Sequence, residues 1–287
     1  MSIEAATLYV VATPIGNLGD WTARAREVVA AVDVVAAEDT RHTAALLAHF
    51  GIRAQLLSLH EHNEEARIHT LLERLQGGAS VALVSDAGTP LISDPGYRLV
   101  AAVRAAGLRV TPVPGPSALT AALSVSGLPT DRFVFEGFLP ARSASRRERL
   151  TAIADETRTL VFYESAHRIH DSLHDMAEVF GPAREAVVAR ELTKTFEEIA
   201  ADRLGGLLNW IVGNEYRQKG EFVVLVHGAE PVERELLDDR DLRTLTTLAA
   251  ELPLKQAVRL ATAITGRPKN LLYERALQLR SESPTEE

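Results

Sequence analysis

Cysteine is absent from the 287 residues. That excludes disulfides, thiolate nucleophiles, Cys-ligated zinc and iron–sulfur clusters. Lysine is scarce: 27 of the 31 basic residues are arginine. No apolar run approaches the ~20 residues of a membrane-spanning helix. The start of the chain holds Glu4 and only a short apolar segment, Leu8 to Ala12. A secretory signal is therefore not expected, and a soluble cytoplasmic protein is. Two phosphate-binding patterns are missing as well. There is no Gly-x-x-x-x-Gly-Lys-[Ser/Thr], which excludes an ATPase P-loop. Gly16-Asn17-Leu18-Gly19 is not Gly-x-Gly-x-x-Gly, which argues against a dinucleotide fold.

What is present is ordinary for a globular chain: 46% hydrophobic and 24% charged residues. The length suggests about two domains, and a core this large needs no metal or disulfide staple. The net charge of −8 argues against a surface coated with basic groups for nucleic acid. Its distribution modifies that. Residues 141–150 carry four Arg against one Glu, and residues 240–280 carry eight basic residues against three acids. The intervening stretch 230–239 has five acids and one Arg. Such basic segments are either solvated surface or grips for phosphate.

Three segments emerge, with boundaries at 1–115, 116–230 and 238–281. The first alternates strand patterns (7–12, 34–37, 55–59, 81–85, 109–113) with helical ones. Asp20 is placed to cap the first helix, whose apolar face would hold Trp21, Ala25, Val28, Val29 and Val32. Helices are expected over 40–50, 64–76 and 97–106, with Gly51 stopping the first of these. Alternation of this kind predicts a mostly parallel sheet covered on both faces. The second segment is again α/β, with strands at 132–135, 159–163, 186–190, 196–200 and 222–226, and a turn at Gly220. The third is a small helical module resembling a helix-turn-helix. In it Leu254, Ala257, Val258, Ala261 and Ile264 share one face, and the tail from Ser281 is expected to fray.

Three Gly/Pro-rich loops follow strands: residues 12–20, Ser85-Asp86-Ala87-Gly88-Thr89-Pro90, and Val113-Pro114-Gly115-Pro116-Ser117-Ala118. In a parallel sheet they lie along one edge and form a ligand crevice. Glycine permits close backbone approach, and proline fixes loop shape before binding. With Asp86 the only acid among the innermost loop residues, the crevice reads as nearly neutral. It suits a nucleoside-like or zwitterionic ligand with a cationic centre. Asp86 can accept a hydrogen bond from an ammonium or offset a positive charge; the bland alternative is a turn or cap. Ser117 stands near a helix start, where backbone N–H groups can meet a carboxylate.

The three loops in this order resemble the tetrapyrrole methylase fold, S-adenosylmethionine enzymes of two α/β domains. Longer stretches carry the likeness further: residues 11–20, Ala37-Glu38-Asp39-Thr40-Arg41-His42-Thr43, 85–96, 162–169 and Arg190-Glu191-Leu192-Thr193-Lys194. They resemble the ribosomal RNA small-subunit methyltransferase I branch of that superfamily over about residues 7–280. The resemblance implies S-adenosyl-L-methionine as cofactor and 2′-O-methylation of a cytidine ribose in the decoding region of small-subunit (16S) rRNA. It also implies a homodimer. By the same resemblance, Ile15, Gly16, Asp86, Gly88, Thr89, Ser117, Ala118 and Ala166 would contact the cofactor.

Methyl transfer to a hydroxyl needs in-line positioning and an acceptor for the proton. Glu38, Asp39, Arg41 and His42 follow a strand toward the crevice, and Lys194 can enter from the second domain. Glu38, Asp39, His42 and Lys194 are the catalytic candidates; a structural ion network is the alternative. Arg142, Arg146, Arg147 and Arg149, with Lys255, Arg259, Arg267 and Lys269, are read as phosphate contacts. His60 and His62 beside Glu61 suggest a polar loop rather than a metal site, and no metal is expected. Two rivals remain at this stage: a small-molecule, precorrin-type methyltransferase of the same fold, and a non-enzymatic ribosome assembly protein. A small substrate needs neither the basic loop nor the helical module, and an assembly protein needs no cofactor crevice.

Overall fold

A computed structural model describes residues 3–60, 63–230 and 237–282. Glu61 and His62 of the expected polar loop, and the chain from 283 onward, lie outside them. Contacts divide the chain into a unit that runs to Gly228 and a second from Ala229.

The first sheet is built from β1 (Thr7–Val11), β2 (Val34–Ala37), β3 (Leu56–Ser58), β4 (Val81–Val84) and β5 (Arg109–Val113), in the order β3-β2-β4-β1-β5. Every pairing in it is parallel. The central strands β2 and β4 are buried throughout, because helices cover both faces. Helices α1 (Ala23–Ala31) and α2 (Thr40–His49) pack Val28, Val29 and Leu47 against Tyr9, Val11 and Val35 on one face. On the other face α3 (Glu64–Gln76) and α4 (Tyr97–Ala105) pack Leu71, Leu75, Leu99 and Val103 against Leu8, Ala36 and Leu83. Strands buried on both sides need continuous apolar runs, and these sequences supply them.

Two local expectations are corrected. Asp20 ends a short 3₁₀ turn, and the cap of α1 is Thr22, whose hydroxyl accepts from the Ala25 amide at 3.0 Å. Trp21 precedes the helix, buried, and donates its indole N–H to the Ala12 carbonyl at 3.1 Å.

Helix α5 (Ala118–Ser126) belongs to the second sheet. That sheet comprises β6 (Phe133–Phe138), β7 (Thr159–Ser165), β8 (Glu185–Arg190), β9 (Glu198–Arg203) and β10 (Glu221–Val226), ordered β6-β7-β10-β8-β9. Only β6–β7 is parallel. One face is packed by α6 (Ser143–Ala152), α7 (Ile169–Phe180) and α8 (Leu204–Val212). The other receives Leu119, Ala122 and Leu123 of α5, together with Ile15 from the loop after β1. The expected strand at 196–200 starts instead at Glu198, opposite Arg190. The Phe196 carbonyl is taken by the Arg190 guanidinium at 3.0 Å, so the residue stays out of the ladder.

The second unit holds α9 (Asp239–Glu251), α10 (Leu254–Thr265) and α11 (Lys269–Glu282). Asp238 and Asp241 form a capping box at the start of α9. Leu245, Val258, Ala261, Leu272 and Ala276 make its core. Ile264, expected on the buried face of α10, is exposed. Ser281 and Glu282 continue α11. No described helix is long and apolar enough to cross a membrane.

Candidate active site

Because every strand of the first sheet points the same way, the loops after β1, β2 and β4 gather on one edge. Thr13 and Gly88 lock two of them, exchanging backbone hydrogen bonds of 2.9 and 3.1 Å. The Thr89 hydroxyl ties the second loop to the third by donating to the Pro116 carbonyl at 3.0 Å. A cavity of about 340 Å³ opens there, walled on its far side by β7, β8 and β10. Its size suits a small-molecule site.

Of the residues expected at a cofactor, Ile15, Asp86, Gly88, Thr89, Ser117 and Ala118 line this cavity. Gly16 is not among the lining residues but packs against Lys194, which is. A β-carbon there would lie 2.3 Å from the Lys194 side chain, so only glycine admits the lysine at this point. Ala166 is not among the lining residues; it follows β7 and packs against the α6–α8 cluster.

The catalytic candidates separate. Glu38 and Lys194 line the cavity; Asp39 and His42 do not. Asp39 caps α2, accepting from the Arg41 amide at 2.8 Å, and pairs with the Arg41 guanidinium at 2.7 Å. Those hydrogen bonds hold its carboxyl far below the usual range, which makes it a weak proton acceptor. His42 is exposed on α2. Burial alone would lower the Lys194 ammonium, but Glu191 and Glu221, each 2.8 Å away, raise it, so the side chain stays a cation.

The crevice is more acidic than one loop carboxylate implies, because Glu38, Asp86 and Asp94 all line it. Asp86 accepts from the Asp39 amide at 3.0 Å. Asp94 is the residue that sequence reasoning missed. Burial chiefly, then the charges of Glu38 and Asp86, push its carboxyl up to about 6, against a hydrogen bond from Ser85. Its loop is held under strain: Leu91 and Ser93 adopt φ of 74° and 65° without being glycine. Gly96 fastens the loop's end by donating to the buried Glu64 carboxylate at 3.2 Å. The loop's sequence, Ile92-Ser93-Asp94-Pro95-Gly96, carried a signal: an acid between residues that need special backbone shapes.

The segment expected as a basic loop is instead the helix α6, with Arg142 at its N-cap, and it is largely spoken for. Arg146 is 3% exposed and pairs with buried Asp175 at 2.6 Å. Arg147 binds Asp175 and Glu178, each at 2.7 Å, and Arg149 binds Glu136 at 2.6 Å. Arg146 is therefore a core ion pair rather than a phosphate contact, while Arg142 is exposed. Asp175 also belongs to a group with His174 and Glu178, but its oxygens are already engaged by arginine. In the second unit Lys255, Arg259 and Lys269 are exposed, whereas Arg267 is held by Asp238 and Asp241.

The two sheets and the cavity lying against both define a class, and the comparisons name it. Residues 7–208 match the family of tetrapyrrole (corrin/porphyrin) methylases, and residues 235–280 match the RsmI C-terminal HTH domain. Among solved structures, diphthine synthase superposes with a TM-score of 0.60 at 19% identity, covering 77% of this chain and 90% of its own. The cobalt precorrin-4 methyltransferase does so with a TM-score of 0.57 at 18% identity, covering 77% and 95%. These likenesses show the fold. Among sequence relatives, the ribosomal RNA small subunit methyltransferase I of Escherichia coli O157:H7 is 58% identical over 271 residues, 94% of each chain. That of Pseudomonas aeruginosa is 56% identical over 282 residues, 98% of this chain and all of its own. The chain belongs to the ribosomal RNA small subunit methyltransferase I family and carries that family's methyltransferase domain.

Proposed function

We propose that this chain transfers a methyl group from S-adenosyl-L-methionine to the 2′-hydroxyl of a cytidine ribose in small-subunit (16S) rRNA. The observation that carries the reading is the cavity itself, where five acidic residues, Glu38, Asp86, Asp94, Glu164 and Glu221, line the wall together with apolar Ile15, Ile92 and Leu192. That set of acceptors beside apolar walls fits a nucleoside bearing a sulfonium and an ammonium. When bound, the cofactor supplies an electrophilic methyl group. Asp86 would meet positive charge on it, and the backbone at Ser117 and Ala118, which begins α5, suits its carboxylate. Ile15, Ile92 and Leu192 exclude water, which strengthens those contacts. Asp94 takes the proton from the ribose hydroxyl, because it lines the cavity and burial raises its carboxyl to about 6. Lys194 acts as a fixed cation that orders Glu191 and Glu221 at the mouth. The exposed Arg142, Lys255 and Lys269 contact RNA phosphates, and the protein works as a cytoplasmic homodimer.

The test is incubation of the purified protein with 30S subunits and cofactor, followed by mass-spectrometric mapping of ribose methylation. One added methyl on a cytidine ribose is expected; a methylated base, or none, overturns the reading. Asp86→Ala is expected to weaken cofactor binding by about 1–3 kcal/mol, as for a lost charge-assisted hydrogen bond. Calorimetry giving wild-type affinity in the folded variant would remove Asp86 from the site.

A further inference from the structure

Beside the cavity runs a shallow groove that the function so far leaves unused. Phe196, Tyr216, Arg190 and Lys219 are among the residues that line it. Groove and cavity adjoin: Gly220 borders the groove and Glu221 the cavity, and Glu191 of the groove holds Lys194 of the cavity.

Both rings stand in water, Phe196 at 72% and Tyr216 at 64% exposure. Their backbones, by contrast, are fixed. The guanidinium of Arg190, a buried residue, donates to the carbonyls of Phe196 at 3.0 Å, Tyr216 at 2.8 Å and Lys219 at 2.8 Å. The loop leading to Phe196 is strained, with φ of 50° at Glu191 and 67° at Thr193. It is nevertheless pinned by the Lys194–Glu191 pair and by Glu197, which accepts from the Thr193 amide at 2.6 Å. Rigid backbone under exposed rings is the preorganisation that lowers a binding site's ordering cost.

The groove's charges balance, Arg190, Arg217 and Lys219 against Glu191, Glu197 and Glu198. Glu198 is paired with Arg217 at 3.1 Å and Glu191 with Lys194 at 2.8 Å, while Glu197 accepts from the Thr193 amide. The Lys219 ammonium lies 4.9 Å from the centre of the Tyr216 ring. Aromatic faces next to a cation, with no base-reading pocket, are how proteins hold unpaired nucleotides by stacking.

We infer that Phe196, Tyr216 and Lys219 form a stacking surface for unpaired RNA nucleotides next to the one whose ribose enters the cavity. The inference rests on reading that cavity as the site of RNA methylation. Stacking alone would not select a sequence. It would hold the flanking strand splayed, so that one ribose reaches the cavity.

The experiment measures fluorescence anisotropy of a short, cytidine-containing single-stranded RNA across a salt series, with cofactor affinity and thermal midpoint recorded alongside. Phe196→Ala and Tyr216→Ala are each expected to weaken RNA binding roughly 5- to 150-fold, one lost stack of about 1–3 kcal/mol. The salt slope should stay fixed, because stacking releases no counterions. Lys219→Ala should reduce that slope by about 1. Phe196→Trp is expected to bind like wild type and Phe196→Leu like the alanine variant, since leucine keeps bulk without a π face. Wild-type affinity in the Phe196→Ala/Tyr216→Ala pair would overturn the inference. So would conversion of a dimer to monomers with RNA affinity unchanged, which would make this a surface between copies of the chain. A wild-type protein that binds the RNA by these residues but methylates no ribose would instead sink the reading of the cavity.

Discussion

Replacing Asp94 by asparagine is expected to slow methyl transfer to 30S subunits by roughly 10²–10⁴-fold, the usual loss for a general base. Cofactor affinity should fall far less. The wild-type single-turnover rate should drop as pH falls below about 6, where this carboxyl takes up its proton; the variant should lack that limb. Stability should move the other way. A carboxyl near 3.8 in the unfolded chain and about 6 in the folded one binds its proton more tightly when folded. Its favourable contribution is complete below about pH 4 and is lost as pH rises through about 6. Asparagine escapes that loss, so Asp94→Asn should be about 1–3 kcal/mol more stable than wild type at pH 7, discounted for partial solvation. A variant that methylates at the wild-type rate would return proton acceptance to solvent.

Arg146→Ala is expected to lose up to about 3–5 kcal/mol of folding stability, because it strips a partner from a buried carboxylate. Denaturant unfolding measures this directly. Burial would raise the Asp175 carboxyl, but hydrogen bonds from Arg147, Arg146 and Ser143 outweigh it and hold it below the usual value. The contribution is therefore present above about pH 4 and fades as pH falls through the lowered value. Arg142→Ala, at the exposed N-cap of the same helix, should leave stability within about 0.5 kcal/mol. Equal stability of Arg146→Ala and wild type would return Arg146 to the surface.

Much of this architecture was legible in the chain. The apolar runs at β2 and β4 have to be buried on both faces, and strand–helix alternation then leaves a parallel sheet as the simplest arrangement. The three loops converged because parallel strands send their C-terminal ends to one side. The partners that long-range packing chooses were not legible. Arg142, Arg146, Arg147 and Arg149 look alike in sequence; only the position of Asp175, on a helix 29 residues beyond Arg146, makes one of them core. Asp39 and Asp94 were both acids in promising loops. Their opposite shifts come from a neighbouring arginine in one case and from burial, then two neighbouring carboxylates, in the other. The start of β9 was misplaced for a similar reason, since a guanidinium from β8 claims the carbonyl that a strand would have used.

The strand order of the first sheet also shapes how the chain is made. Among the described residues β1 pairs with β4 and β5 alone, so after synthesis it has no neighbour until Val81–Val84 follows. β2 and β3 can join each other sooner. At ordinary synthesis rates of 5–20 residues per second, β1 waits for roughly 4–15 seconds with Leu8, Tyr9 and Val11 uncovered. A hairpin would have closed in microseconds. The parallel sheet that brings the loops to one edge therefore lengthens the interval in which the nascent chain depends on chaperones or dilution to avoid aggregation.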